Sequence, residues 1–238
     1  MDNEPVSGKV EQSFNCPLSI IHFLIRVLGI ETSCDETSAS IVEDGRRVLS
    51  LVIATSKQDF ETLSGVIPEV AAREQMKSIL PTIAEALKRA NADPQSLDLI
   101  AVASGPGLLG SLLVGTTTAR VLARTWNKPL IGVHHTLGHL SSPWLLDASN
   151  QQDDAPSFPN VTLSVSGGHT DLWYRTAHTV GRLLGSTRDD AAGEAFDKGA
   201  AMLGLPYPGG PALEHLAENG DPSRYRFPLP FEREKTLD

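Results

Sequence analysis

Three short runs near the start limit what this chain can fold into. Arg26–Thr32 is a compact apolar run ending in polar residues, which reads as a buried strand. Ser38–Val42 alternates as a strand does, Glu43-Asp44-Gly45-Arg46 carries the Asp-Gly hairpin signal, and Val48–Ala54 is a third strand. The chain therefore opens with an antiparallel meander whose first connection, Ser33-Cys34-Asp35-Glu36-Thr37, is polar and acidic. Helical spacing follows over Pro68–Ala90, through Val70, Ile79, Ile83 and Leu87, with a kink expected at Pro81. Leu97–Ala103 reads as a buried strand, Gly105-Pro106-Gly107 as a break, Ser111–Trp126 as a helix rich in small residues and Pro129–Val133 as a strand. The polar, acidic stretch Asp147–Pro159 reads as a linker. Beyond it, Val161–Ser166 and Asp171–Tyr174 form a hairpin around Gly167-Gly168, and Asp189–Leu203 and Pro211–Glu218 read as helices. Meander, helix-crossed strands and a restart after a linker predict an α/β protein of two similar lobes.

Composition narrows the function. No apolar run has the length of a membrane span; the longest, Pro17–Ile30, is broken by His22 and Arg26. Residues 1–25 are expected to be a disordered extension without a targeting role, because Asp2, Glu4 and Glu11 fit neither a basic signal start nor an acid-poor transit peptide. Cys16 and Cys34 are too few for a disulfide framework and point to a reducing cytoplasm. A net charge of −9 argues against a surface coated in basic residues for nucleic acid. RNA binding would need a local basic patch or a partner subunit.

Four segments could carry chemistry. His135 and His139 are four apart, so on a helix both imidazoles share a face and can share a metal. Thr136 stands where a zincin protease needs glutamate, which disfavours that chemistry. Gly105-Pro106-Gly107-Leu108-Leu109-Gly110-Ser111 links strand to helix; it lacks a P-loop ending, and taken alone it reads better as a tight turn than as an anion site. Ser166-Gly167-Gly168-His169-Thr170 fits a phosphate-binding turn and a plain Gly-Gly hairpin equally well. Asp190, Glu194 and Asp197 fall on one face of the helix expected over Asp189–Leu203, a stripe that is usually solvated.

The order of these segments carries more than any one of them. LGIETSCDET (Leu28–Thr37), GVIPEVAAR (Gly65–Arg73), GPGLLGSLLVG (Gly105–Gly115), VHHTLGHL (Val133–Leu140), VSGGHT (Val165–Thr170), DDAAGEAFDK (Asp189–Lys198) and LGLPYPGGP (Leu203–Pro211) together resemble the TsaD family over Arg26 to about Pro230. The resemblance implies an actin-like ATPase fold of two ribonuclease-H-like lobes, here over 26–146 and, after a linker, 147–238. It implies transfer of the L-threonylcarbamoyl group from threonylcarbamoyl-AMP to N6 of the adenosine just 3′ of the anticodon (adenosine 37), in tRNAs that read codons beginning with A. Carried over residue by residue, it makes His135 and His139 ligands of one divalent metal, iron or zinc. Ser164, Val165, Ser166, Gly167 and Gly168 become the donor-binding turn, and Asp197 and Gly210 hold its nucleoside. No catalytic residue is assigned. The implied partners are tRNA and TsaB- and TsaE-like subunits.

The chain departs from the family pattern at several positions. Ser64 stands where glycine is usual, Phe60 and Gln75 where many members have histidine, and Leu137 where bacterial members have glutamate. It ends at Asp238, before the family's Ser-Gly-Leu-Lys stretch, its Gly-Gly-Val-x-x-Asn motif and the C-terminal aspartate of the metal site. The expectation is an incomplete second lobe and weak or absent activity in isolation. Three alternatives are an inactive fragment, a non-catalytic scaffold of the modification complex, and a sugar or acetate kinase of the same superclass. The His pair disfavours the scaffold, and the missing basic phosphate loop disfavours the kinase.

Overall fold

A computed structural model of the chain describes residues 24–55, 67–146 and 155–228. Nearly all of the expected N-terminal extension, most of the linker, and positions Phe60 and Ser64 lie outside the described residues. No described helix is long and apolar enough to cross a membrane.

The opening meander is present: β1 (Arg26–Glu31), β2 (Thr37–Glu43) and β3 (Arg47–Ala54) pair antiparallel in turn. Helix α1 (Pro68–Arg89) leads to β4 (Leu99–Gly105), parallel to β1, and α2 (Leu109–Trp126) leads to β5 (Leu130–His134), parallel to β4. The strand order β3-β2-β1-β4-β5 is the ribonuclease-H-like arrangement expected of a first lobe. Strand periodicity explains the burial on β2, where Thr37, Ala39, Ile41 and Glu43 face inward and their neighbours do not. Leu28, Ile30, Ile41, Ile100 and Val102 of the sheet pack with Ile79 and Ile83 of α1. Each fully buried side chain of this size contributes about 1.5–3 kcal/mol.

Both helices are shaped by their sequence. Pro68 sits in the first turn of α1, where a missing N–H is harmless, and the helix continues across Pro81 as a single element. Helix α2 buries Ser111, Gly115, Ala119 and Ala123, a strict every-fourth-residue stripe of small side chains. The reason is proximity: a Cβ on Gly115 would lie 2.3 Å from Thr32 Oγ1.

Helix α3 (His135–Ser141) starts directly after β5. A second sheet follows, made of β6 (Asn160–Val165), β7 (Thr170–Ala177) and β8 (Val180–Ser186), all antiparallel. Helices α4 (Ala192–Met202) and α5 (Gly209–Ala217) pack on each other. The second sheet repeats the meander of β1–β3, as two similar lobes require. Its third strand is a correction to the hairpin expected from sequence. Gly181 and Gly185 dilute the strand pattern of β8, and register shifts at Leu172/Trp173 and Arg175/Ala177 break its alternation.

Arg175 on β7 joins the second sheet to α3 and the turn that follows it. It is 1% exposed, the largest fully buried side chain described. Its guanidinium donates to the Leu140 carbonyl, to His178 O at 2.7 Å and to Ser141 Oγ at 3.4 Å. It lies 5.1 Å from the Trp144 ring centre and 5.5 Å from that of Phe158, and those two rings stack. The Leu140 carbonyl is in the last turn of α3, where the helix supplies no donor and its dipole is negative. In place of a carboxylate, Arg175 is satisfied by backbone oxygens and aromatic faces. Arg175→Met, similar in length but without donors, should destabilise the chain by about 2–4 kcal/mol. The measurement is a urea titration, in which the midpoint should fall with little change in slope.

Candidate functional site

Strands β1, β4 and β5 are parallel, so their C-terminal ends lie along one edge of the sheet, the usual place for ligands in α/β sheets. That edge carries Glu31–Ser33, the Gly105–Leu108 turn and the start of α3.

His135 and His139 stand one turn apart on α3, as their spacing predicts. Their Nε2 atoms are 3.0 Å apart, and the rings meet edge to face with centres 4.5 Å apart. On its other side, His135 Nδ1 is 3.0 Å from Glu31 Oε2 and 3.0 Å from Ser33 Oγ. A carboxylate at Nδ1 favours the tautomer with the proton on that nitrogen, which leaves the Nε2 lone pair facing His139. Burial pushes the Glu31 carboxyl up, but hydrogen bonds from His135 and Ser33 outweigh it and hold the group below the ordinary carboxylate range. Burial, then the proximity of His135 and His169, lowers His139 against the pull of Glu31, which favours its neutral form. Among the described residues no group of three or more His, Cys, Asp or Glu is arranged to hold a metal ion. Glu31 was not singled out by the sequence reading; the available signal was a carboxylate closing an otherwise apolar buried strand.

The glycine-rich turn serves this assembly. A Cβ on Gly107 would lie 2.5 Å from Ser33 O, and the Leu108 N–H donates to that oxygen at 2.8 Å. Thr32 Oγ1 donates to Ser111 O at 2.8 Å. The turn is therefore filled by the end of β1, which accords with the tight-turn reading.

Ser164 and Val165 close β6, and Ser166-Gly167-Gly168-His169 turns into β7. Within the turn Ser166 N donates to His169 O at 2.8 Å, and His169 N donates to Ser166 Oγ at 3.0 Å. The start of α4 closes on it from behind, with Gly193 N on Ser166 O at 3.1 Å and Ala192 N on Thr170 Oγ1 at 2.9 Å. A Cβ on Gly193 would stand 2.8 Å from Ser166 O and 2.9 Å from Gly167 N, whereas one on Gly167 or Gly168 would meet nothing within 4 Å. The turn is thus packed on one side and open on the other.

The acidic stripe is split. Helix α4 begins at Ala192 with Ala191 at its cap, so Asp190 precedes the helix instead of lying on its face. Lys198 Nζ binds Asp190 at 2.7 Å and Glu194 at 3.0 Å. Asp197 points elsewhere: its Oδ1 accepts the Gly209 N–H at 2.7 Å and anchors the start of α5. Gly209 is packed tightly, since a Cβ there would lie 2.6 Å from Asp197 Cα, while one on Gly210 would face open space.

Electrostatics tie these segments together. His169 of the Gly-Gly turn acts on His139. Burial raises the Tyr207 phenol, and so do Asp35, Asp197, Cys34 and Glu36, which sets the loop before α5 within range of the β1–β2 connection.

A family profile described as TsaD, tRNA N6-adenosine threonylcarbamoyltransferase, matches residues 47–237. The chain is 52% identical over 217 residues to the tRNA N6-adenosine threonylcarbamoyltransferase of Anaeromyxobacter dehalogenans strain 2CP-C, covering 90% of this chain and 63% of that protein. It is 51% identical over 212 residues to the one of Moorella thermoacetica, covering 89% of this chain and 60% of that protein. The chain thus spans under two thirds of the length of these relatives. Among solved structures it is similar to YeaZ from Pseudomonas aeruginosa, with a TM-score of 0.41, 17% identity, and coverage of 68% of this chain and 65% of that one.

Two outcomes follow from the geometry. Gly193→Ala should push the Ser166–Gly167 backbone away, moving the amide NMR signals of Gly167 and Gly168 while those of Leu28 and Ile100 stay in place. Cys34 is an exposed residue whose thiol is partly shielded; that shielding, then Asp35, pushes it up to about 11. In a Cys16→Ser variant, Cys34 alkylation should therefore still rise about tenfold per pH unit through pH 9.5, where an ordinary thiol would be levelling off.

Proposed function

The chain belongs to the TsaD family, and from that premise we propose that it transfers the L-threonylcarbamoyl group from threonylcarbamoyl-AMP to N6 of the adenosine just 3′ of the anticodon, in tRNAs that read codons beginning with A. The reading extends to the cytoplasm as its location and to TsaB- and TsaE-like subunits as its partners. The observation that carries it is the His135–His139 pair braced by Glu31, within electrostatic reach of the Gly-Gly turn.

In this proposal one divalent ion, iron or zinc, is held by His135 and His139. The residues fit it: His135 and His139 would hold the ion through imidazole nitrogens, a donor type that both iron and zinc accept. The neutral form that burial favours in His139 has a lone pair to give, and Glu31 orients the ring of His135 in the way outer-shell carboxylates do. Two imidazoles leave coordination positions for donor oxygens or water. When bound, the ion supplies Lewis-acid polarisation and offsets the donor's charge.

The remaining work falls to the chain itself. The open side of Ser166-Gly167-Gly168, with Ser164 and Val165, takes the donor, and backbone amides there steady oxyanions. With Asp197 Oδ1 committed to Gly209, its Oδ2 accepts the ribose hydroxyls, and Gly210 leaves room for the nucleoside. The N6 amine attacks the carbamoyl carbon, the bond to the adenylate oxygen breaks, adenylate leaves with the electron pair, and N6 loses a proton. Little covalent chemistry is asked of the side chains.

Elemental analysis should find about one equivalent of metal in the wild-type chain and none in His135→Ala/His139→Ala; equal stoichiometry in both would sink the assignment. For the nucleoside, Asp197→Asn is the informative change, because its amide oxygen can still accept from Gly209 while the charge is lost. Calorimetry with AMP should show binding weakened about tenfold or more, and unchanged affinity would contradict the role given to Asp197.

A further inference from the structure

We infer that Gln75 is a positioning residue for this site, holding the Ser33–Glu36 connection in place and, through it, the ring of His135. Gln75 lies on the inner face of α1, 1% exposed. Its Nε2 is 3.0 Å from Cys34 O, 3.0 Å from Glu36 O and 3.5 Å from Thr32 O. An amide nitrogen has two hydrogens, so Cys34 and Glu36 take the two direct bonds and Thr32 lies at the limit of a third. The orientation is not interchangeable: turned over, Oε1 would face three carbonyl oxygens. In the orientation observed, Oε1 is buried and has no partner among the described residues. A buried acceptor left unpaired is unfavourable, and the fold tolerates it where the opposite end of the same group organises the main chain.

That main chain needs organising. The connection runs between β1 and β2 outside the sheet pairing, which covers Glu31 and Ser38 but none of the residues between except the start of β2. The two direct bonds from Gln75 hold the carbonyls of Cys34 and Glu36, immediately after Ser33, with the Thr32 carbonyl before it at the limit of contact. Ser33 in turn places Oγ 3.0 Å from His135 Nδ1, beside Glu31. From the opposite side Leu108 N holds Ser33 O at 2.8 Å, and Ser78 Oγ donates to Thr37 Oγ1 at 2.9 Å at the far end. Without the Gln75 donor, Leu108 and Glu31 still hold the main chain of Ser33, but Cys34–Glu36 is released directly beside it and the placing of Ser33 Oγ loosens with it. Gln75 touches no reacting group in this arrangement; it acts through Ser33 on the ring that presents Nε2 to His139.

The test uses Cys34, the exposed thiol in the middle of the connection, in the full chain carrying Cys16→Ser. Three variants separate hydrogen bonding from space filling. Gln75→Leu keeps the volume without the donor, Gln75→Glu turns the donor into an acceptor, and Gln75→His restores a ring N–H. Iodoacetamide labelling of Cys34 at fixed pH should be about tenfold faster in Gln75→Leu and within about threefold of wild type in Gln75→His; Gln75→Glu, whose carboxylate would itself hold the thiol protonated, is read by the His135 NMR signal alone, which should broaden. Proton NMR adds a readout that simple packing would not move: the His135 Nδ1–H signal should broaden through faster water exchange in Gln75→Leu and stay sharp in Gln75→His. If Gln75→Glu does not fold, Gln75→Leu decides alone. Wild-type labelling together with a sharp Nδ1–H signal in folded Gln75→Leu would overturn the proposal. Neither readout needs donor, tRNA or metal, so the outcome is independent of the transfer reading.

Discussion

The backbone of Ser33 occupies the space that a side chain at position 107 would fill, and the cleft is arranged around that contact. Bringing the end of β1 against the turn before α2 sets Glu31 and Ser33 side by side at the sheet edge, where β5 delivers His135. The small-residue stripe of α2 serves the same end. With nothing larger than glycine at 115, the helix lies close enough for Thr32 to bond Ser111 O, and β1 is pinned one residue before Ser33. Core packing of α1 and α2 on the sheet and the geometry of the histidine pair are thus one problem, solved by a few positions without side chains.

Much of this was legible in the sequence. The opening meander announces itself through alternation and an Asp-Gly turn, and the parallel strands through short apolar runs flanked by helices, because both signals are local. The His135–His139 pair was equally readable, since helical spacing alone puts two residues on one face. What escaped was of two kinds. Strand β8 escaped because Gly181 and Gly185 carry no side chain to show a face, and because a bulge upsets the period that sequence reading depends on. The roles of Glu31, Arg175 and Gln75 escaped because they are non-local: their partners are 104, 35 and 41 positions away, respectively. Asp190 shows the opposite error. Extending the helix period past the true cap at Ala191 placed on its face a carboxylate that in fact stands ahead of it.

The two halves of the site differ in how they are built. The β1–α3 half is internally cross-braced, with His135, Glu31 and Ser33 all within 3.0 Å of a neighbour in the set. The half from β6 to α5 is built mainly from main-chain contacts: the Gly-Gly turn leans on the start of α4, and Asp197 grips the backbone of α5. Polar side chains define position in the first; tight glycines define it in the second, at 193 and 209. A substitution that merely changes polarity should be felt chiefly in the first half, whereas added volume is felt in both, at 107 and 115 in the first and at 193 and 209 in the second.

Arg175 gives the junction between the halves a chemical character of its own. Its oxygen partners are amide carbonyls and a hydroxyl, groups with no proton to take up in ordinary acid. Glu31 is different: its depressed carboxyl gives its contribution above the ordinary carboxylate range and loses it as acid protonates the folded form. Acid therefore acts on the bond that aims His135 through Glu31 itself, whereas the oxygens that fasten β7 to α3 give it nothing to protonate.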